Sequence, residues 1–176
     1  GHYEPADHSP VWQTRTTMPP SRSARPANRP SRRHEILTAA IDLLAVQPPD
    51  QIAVSDIAAQ AGMTPAAFYY HFASKDEILD EIIADFSDEW SRLVSGLLPE
   101  LVHPDDLIDF IDYILSWIDE RERAGTVYFV TSIGATSTGE AIRKKTRDDL
   151  SKRAAKAFTV MNPSKDRIDS AVAGLG

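Results

Sequence analysis

The stretch AVSDIAAQAGMTPAAFYYHFASKDEIL, residues 53–79, decides the fold of this chain. Its apolar side chains recur at helical spacing in two short runs, which predicts helices over residues 54–61 and 64–71. The glycine between the two runs can adopt the left-handed backbone conformation that ends a helix. Thr64 and Pro65 then provide a hydroxyl N-cap and a proline at the first helical position. The segment is therefore predicted to be two short helices joined by a tight turn.

The second of these helices is too short, and too polar at its ends, to serve as a core element. We expect Ala67 and Phe68 to face the interior and Tyr69, Tyr70 and His71 to be left for another surface. In the DNA-binding helix-turn-helix, the second helix enters the major groove with its first residues toward the base edges. Phenol and imidazole groups suit phosphate oxygens. The motif therefore predicts contact with a DNA duplex, and a half-buried aromatic cluster between helices is the structural alternative.

The rest of the chain also shows helical patterns, and no segment predicts a strand. An apolar stripe at helical spacing predicts a helix over residues 33–45. Ser74 and Glu77 have the spacing of a capping box, in which each side chain accepts from the other residue's backbone N–H. Apolar residues then recur every three or four positions up to Leu97, so one helix of about two dozen residues should follow.

The second half of the chain predicts further helices. Residues 105–121 are apolar on nearly all sides, which predicts a helix buried on most of its faces. A shorter apolar piece covers residues 126–133. Ser137 and Glu140 suggest a second capping box, which would open a charged helix ending near residue 161. One more helix is expected over residues 166–175, and the fold class is all-α.

Composition limits the classes of protein that this chain can be. It has 176 residues, 42% of them hydrophobic, and it has no cysteine. Disulfides, thiolate metal sites and cysteine nucleophiles are therefore excluded. No apolar run approaches the ~20 residues of a membrane helix, so a soluble, cytoplasmic protein without membrane contact is expected. The histidines show no metal-ligand spacing, and we expect no cofactor and no metal.

Charge is distributed unevenly along the chain. Residues 1–33 contain six arginines against two acidic residues, whereas the remaining 143 residues contain 13 basic and 24 acidic side chains. An acidic body with a basic arm suits a protein that touches nucleic acid over a small footprint. We predict that Arg29, Arg32 and Arg33 reach the minor groove or flanking phosphates. A merely solubilising arm is the alternative.

Four short motifs within residues 33–79 together resemble the DNA-binding domain of the TetR family. They are DIA at 56–58, AGMTP at 61–65, FYYHF at 68–72 and SKDE at 74–77. The remainder of the chain is similar to that family only in its all-helical plan. One departure concerns the N-cap of the second helix, where family members usually have a hydroxyl residue and this chain has alanine. Either Ser55 caps a helix that starts later, or this end is weakly held.

The resemblance implies a three-helix DNA-binding head joined to a helical ligand-binding and dimerisation body. We expect a flexible basic arm over residues 1–31, the helix-turn-helix domain over 32–79 and a regulatory domain over 80–176 that is incomplete at its C-terminus. Function would be repression by a homodimer that a small-molecule effector releases from double-stranded operator DNA. An all-α enzyme is disfavoured because no nucleophile–base pair appears, and a helical protein-interaction adaptor without DNA binding is the remaining alternative.

The resemblance also implies site residues. Those expected to contact DNA are Ser55, Thr64, Pro65, Ala66, Tyr69, Tyr70, His71 and Lys75, together with Arg32 and Arg33 from the basic arm. The aromatic residues that could line an effector cavity in the body are Trp90, Phe110, Tyr113, Trp117, Tyr128 and Phe129.

Overall fold

The computed structural model describes residues 31–103 and 105–161, and the regular structure in this part of the chain is helical, without a strand. The helices are α1 (Arg32–Leu44), α2 (Val54–Gln60), α3 (Pro65–His71), α4 (Lys75–Leu97), α5 (Asp106–Asp119), α6 (Glu122–Thr126) and α7 (Ser137–Met161). Short 3-10 turns lie at Pro49–Gln51 and Leu98–Glu100, and a π-helical segment at Val127–Thr131 follows α6. The predicted all-α class is confirmed. The helix expected over 166–175 lies outside the described residues.

The hydroxyl caps of α3 and α4 are those that the sequence predicts. Thr64 Oγ1 accepts from the Ala67 amide at 3.2 Å, and Ser74 Oγ accepts from the Glu77 amide at 3.2 Å. The reciprocal half of the capping box differs, because the Glu77 carboxylate accepts from the backbone N–H of Ala73 and not from that of Ser74. Glu77 thus ties the residue before the N-cap to the first turn of α4.

The predicted N-cap of α7 was wrong by one residue. Thr136 Oγ1 accepts from the Gly139 amide at 3.0 Å and donates to Asp80 Oδ1 at 2.5 Å, so Thr136 caps α7 and joins it to α4. Gly134 turns the chain with a φ of +75°, and its amide donates to Glu140. This bond holds the pKa of the Glu140 carboxyl below its ordinary value, with help from the Arg143 charge.

The amino-terminal helices share one apolar core with the start of α4. Phe68 and Phe72 lie at its centre, and the π-helical segment inserts Val127 into it. The buried members are Ile36, Ala39, Ala40, Leu44, Ile52, Ile57, Ala58, Phe68, Phe72, Ile78, Leu79, Ile82 and Val127. We call residues 32–79 the head, because its helices are held by this core.

The remaining helices pack mainly around α4, whose main partner is α7. Two smaller apolar clusters lie along α4, one shared with α7 and one with the π-helical segment. The expectation that α5 is buried on most sides was wrong for the described chain, since none of its residues is buried. Phe110 and Ile114 pack partly against α4 and α7, whereas Ile108 and Leu115 are more than half exposed. A pattern that is apolar all round therefore has one packed face here. In this part of the chain, no helix is long and apolar enough to cross a membrane.

Candidate nucleic-acid interface

The turn between α2 and α3 places the second helix on the surface of the head. Gly62 adopts a φ of +67°, in the left-handed region that favours glycine, and the Met63 amide donates to Ala58 O at 2.9 Å. Phe68 is fully buried and Phe72 nearly so, with ring centroids 6.1 Å apart. These two rings attach one face of α3 to the apolar core, which leaves the other sides of this two-turn helix to solvent.

The outer face of α3 carries the aromatic groups that the sequence singles out. Tyr70 is 87% exposed and Tyr69 is 56% exposed, whereas His71 is partly buried and meets the Tyr70 ring edge-on at 5.3 Å. The half-buried cluster considered as an alternative is therefore not what these phenols form. Also exposed are Ser55, Thr64, Pro65 and Ala66. Ala67, expected to face inward, is exposed as well, and Phe68 anchors α3 without it.

The α2 N-terminus excludes Ser55 as its cap. The helix begins at Val54, with Ala53 at the N-cap position, so Ser55 lies inside the first turn and does not cap it. Asp56 Oδ2 accepts from the Ala53 amide at 2.8 Å, which is half of a capping box. Ser55 is exposed to solvent.

The arginine side chains at the start of α1 differ in their contacts. Arg33 forms a two-point ion pair with Glu81, donates to His71 O at 2.5 Å, and stacks over the Phe72 ring at 3.9 Å. The bond with Glu81 raises the pKa of Arg33. Because these contacts occupy its guanidinium, we withdraw Arg33 from the predicted DNA contacts. Among the described residues, Arg32 pairs with Glu35, at 2.9 Å, and its side chain is more exposed than that of Arg33. Arg29, the third predicted arginine, lies outside the described residues.

The Lys75 ammonium lies at the start of α4 and faces the loop between α1 and α2. It donates to the carbonyl oxygens of Pro49 and Ile52, the second at 2.7 Å. An ammonium has three N–H donors, so one remains for a phosphate oxygen. Lys75 thus joins α4 to this loop, and a DNA contact by it stays a prediction.

The predicted effector residues divide into two groups. Trp90, Phe110, Tyr128 and Phe129 line one open cavity of about 490 Å³ between α4, α5, the π-helical segment and α7. Trp117 instead packs between Phe86 and Trp90, with centroids 5.5 and 5.9 Å away, and Tyr113 is 56% exposed on the outer side of α5. These two residues are removed from the predicted lining.

Sequence reasoning did not find the polar side of this cavity. The side chains that complete its lining are Val94, Leu98, Ile114, Ile133, Arg143, Thr146, Arg147, Leu150, Ser151, Ala154 and Phe158. Most of them belong to α7, and its four-residue spacing from 143 to 147 to 151 was a signal that the sequence offered. Among the described residues, no cluster of three metal-ligating side chains is found.

The head is thus a helix-turn-helix whose second helix presents exposed aromatic side chains. Residues 36–82 match the family model described as bacterial regulatory proteins, tetR family. Residues 36–82 therefore carry the amino-terminal domain of the TetR family, which confirms the resemblance over this part of the chain.

Two curated relatives match part of the chain. The HTH-type transcriptional repressor KstR2 of Mycolicibacterium smegmatis is 37% identical over 71 residues, which cover 40% of this chain and 33% of the relative. The nucleoid occlusion factor SlmA of Marinobacter nauticus is 39% identical over 61 residues, which cover 35% and 31%. The matched segment spans about a third of the length of these relatives.

A solved structure extends the likeness beyond the head. The Streptomyces coelicolor A3(2) protein SCO7518 superposes with a TM-score of 0.51 at 21% identity, covering 73% of this chain and 74% of that one. The two proteins therefore share an all-helical fold over most of the described residues.

Proposed function

We propose that the chain is a DNA-binding transcriptional regulator that represses transcription as a homodimer until a small-molecule effector releases it from double-stranded operator DNA. The observation that carries this proposal is the exposure of Tyr70 and Tyr69 on a short helix anchored by Phe68. Large aromatic side chains left in solvent on a rigid support are typical of a binding surface. Several relatives are named as transcriptional repressors, which favours repression.

In this proposal residues 32–79 bind DNA and residues from 80 onward respond to the effector. The first residues of α3, Thr64 to Ala66, would approach base edges, while Tyr69, Tyr70 and His71 would contact phosphates. A homodimer would present two such helices to half-sites one helical turn, or a multiple of it, apart.

The π-helical segment supports a coupling between effector and head. Its first residue, Val127, is buried in the head core, and the next residue, Tyr128, lines the cavity in the body. A ligand that favours one position of Tyr128 would therefore also shift the neighbouring Val127, which packs in the core of the head. The effector lowers DNA affinity only to the extent that it binds the two states differently.

Replacing Tyr70 with alanine tests the DNA-binding surface. We expect Tyr70→Ala to weaken a specific gel shift with DNA from upstream of the protein's own gene by about fivefold or more, because one hydroxyl contact contributes roughly 1 kcal/mol. The matched control is Tyr113→Ala, which removes another exposed tyrosine, in this case from α5. Both variants should keep the parent melting temperature, since neither ring is buried.

Equal effects of the two substitutions would contradict the assignment of α3 as the contact helix. If the protein shifts no DNA at low salt, either specifically or nonspecifically, that result would instead favour the alternative of a protein-interaction adaptor.

A further inference from the structure

We propose that the cavity lined by α7 binds small amphipathic anions and that Arg147 holds the anionic group. This inference deepens the proposed function, and rests on it in taking the cavity as the effector site, because it names the chemical class of the effector. The volume of about 490 Å³ lies in the range of small-molecule sites.

The walls that α4 and α5 contribute to the cavity are apolar. The residues from α4 and its 3-10 extension are Trp90, Val94 and Leu98, and those from α5 are Phe110 and Ile114. Both helices are strongly acidic, with seven acidic and two basic residues in α4 and four acidic and no basic residues in α5. None of these carboxylates lines the cavity. The apolar walls therefore suit the body of a hydrophobic ligand, and the carboxylates of α4 and α5 lie outside the cavity lining.

The α7 wall supplies the polar groups, and both of its charged side chains are cations. Arg143, Arg147 and Ser151 follow one another at four-residue intervals, and Thr146 lies beside them. Positions four residues apart lie on the same face of a helix, so these groups line up along one edge of the cavity. The charges that face the cavity thus favour an anion.

The two arginines have different contacts. The Arg143 side chain is 11% exposed and donates to Tyr128 O at 3.0 Å, Ser132 O at 3.3 Å, Ser132 Oγ at 2.5 Å and Glu140 Oε1 at 2.5 Å. These bonds use four of its five N–H groups. Arg143 therefore fixes the π-helical segment to α7 and is committed to that role.

Arg147 remains available to a ligand. Its side chain is 68% exposed, and its ion pair with the neighbouring Asp148 is 3.7 Å long. Asp148 has a shorter partner in Lys144, at 2.7 Å, which also holds the pKa of Asp148 below its ordinary value. A planar guanidinium binds carboxylate or sulfonate oxygens through paired hydrogen bonds. Arg147 thus provides the anion contact at the edge of an otherwise apolar site.

A pair of fluorescent dyes tests this inference on the full chain without DNA. 1-Anilinonaphthalene-8-sulfonate and N-phenyl-1-naphthylamine share the same aromatic body, and only the first is an anion. We expect Arg147→Gln to raise the Kd of the sulfonate about fivefold, the equivalent of an exposed ion pair of about 1 kcal/mol, and to change that of the neutral dye less than twofold. Raising the salt concentration should weaken only the sulfonate.

Two further variants locate the site. Lys145→Gln removes a neighbouring α7 cation that does not line the cavity and should change neither Kd. Ala154→Trp fills the cavity from α7 and should weaken both dyes, with circular dichroism showing that the helices are retained. The inference is overturned if neither dye binds, if Arg147→Gln affects both dyes equally or neither, or if Ala154→Trp leaves both unchanged. Because these titrations contain no DNA, a failure of operator binding would overturn the proposed function and leave this result standing.

Discussion

The sequence predicts that Arg33 contacts DNA, but its side chain contacts other parts of the head and α4 instead. Its guanidinium joins the first turn of α1 to Glu81 in α4 and to the last carbonyl of α3, across 48 and 38 residues of sequence. The stacked Phe72 ring is itself part of the head core. Arg33 is therefore a positioning residue for α3. We expect it to affect DNA binding indirectly, through the stability and position of that helix.

Substituting Arg33 separates positioning from direct contact. We expect Arg33→Ala to lower the free energy of unfolding by about 1 kcal/mol, a value that allows for solvent screening of the half-exposed pair and includes its contact with Phe72. The slope of log K against log salt for DNA binding should stay the same, because no phosphate contact is lost. Urea unfolding and a salt series of binding measurements check the two statements.

Arg32→Ala is the matched comparison, since Arg32 has the same charge one position earlier and pairs locally, with Glu35, in the described part of the chain. If Arg33→Ala lowered the salt slope by about one while leaving stability unchanged, Arg33 would be a phosphate contact after all.

At the scale of helices, the Thr136 hydroxyl that caps α7 gives a testable prediction, for which Ser137 provides the control. Thr136→Val keeps the shape of the side chain but removes both the acceptor for the Gly139 amide and the donor to Asp80. We expect a loss of about 1–2 kcal/mol in unfolding free energy. Ser137→Ala, at the position that the capping-box pattern favoured, should cost a few tenths of a kcal/mol, since surface substitutions away from caps have small effects. Chemical denaturation of the two variants checks both values, and a larger loss for Ser137→Ala would place the cap one residue later.

How much of each element the sequence predicts depends on the range of the contacts that define it. The caps at Thr64 and Ser74 involve partners three residues away, so the local pattern was sufficient. The π-helical segment was not predicted, because apolar periodicity does not distinguish hydrogen bonds to the fourth residue from bonds to the fifth. The exposure of α5 depends on which elements are available to pack against it, and its own sequence contains no information on that.

The candidate sites follow the same rule. Exposure of Tyr69 and Tyr70 could be predicted because a two-turn helix with one buried phenylalanine has only one inward face. The Arg33–Glu81 pair and the cavity position of Arg147 join distant segments, and spacing within either segment does not show them. Four of the six aromatic residues predicted for the effector site line the cavity because they lie on the faces of α4, α5 and the π-helical segment that meet there.

For the molecule as a whole, the distribution of charge predicts where DNA affinity must come from. The head contains three basic and six acidic side chains; Arg33 is committed to Glu81, and Lys75 uses two of its three N–H groups for backbone carbonyls. A head with a net negative charge gains little from phosphates by long-range attraction. Residues 1–30 contain four more arginines, at positions 15, 22, 25 and 29. The proposed binding should therefore draw much of its electrostatic free energy from this arm.

Removing the arm tests that inference, and the structure shows where to cut. Ser31 Oγ accepts from the His34 amide at 3.2 Å and caps α1, so the deletion should end at residue 30. We expect this truncated chain to keep its melting temperature, to bind operator DNA more weakly, and to show a salt slope lower by at least about one. A full-length variant with the four arm arginines changed to glutamine should behave in the same way, which would assign the loss to charge and not to length. Equal affinity and an equal slope in all three proteins would mean that the head binds the duplex unaided, through α3 and uncharged contacts alone.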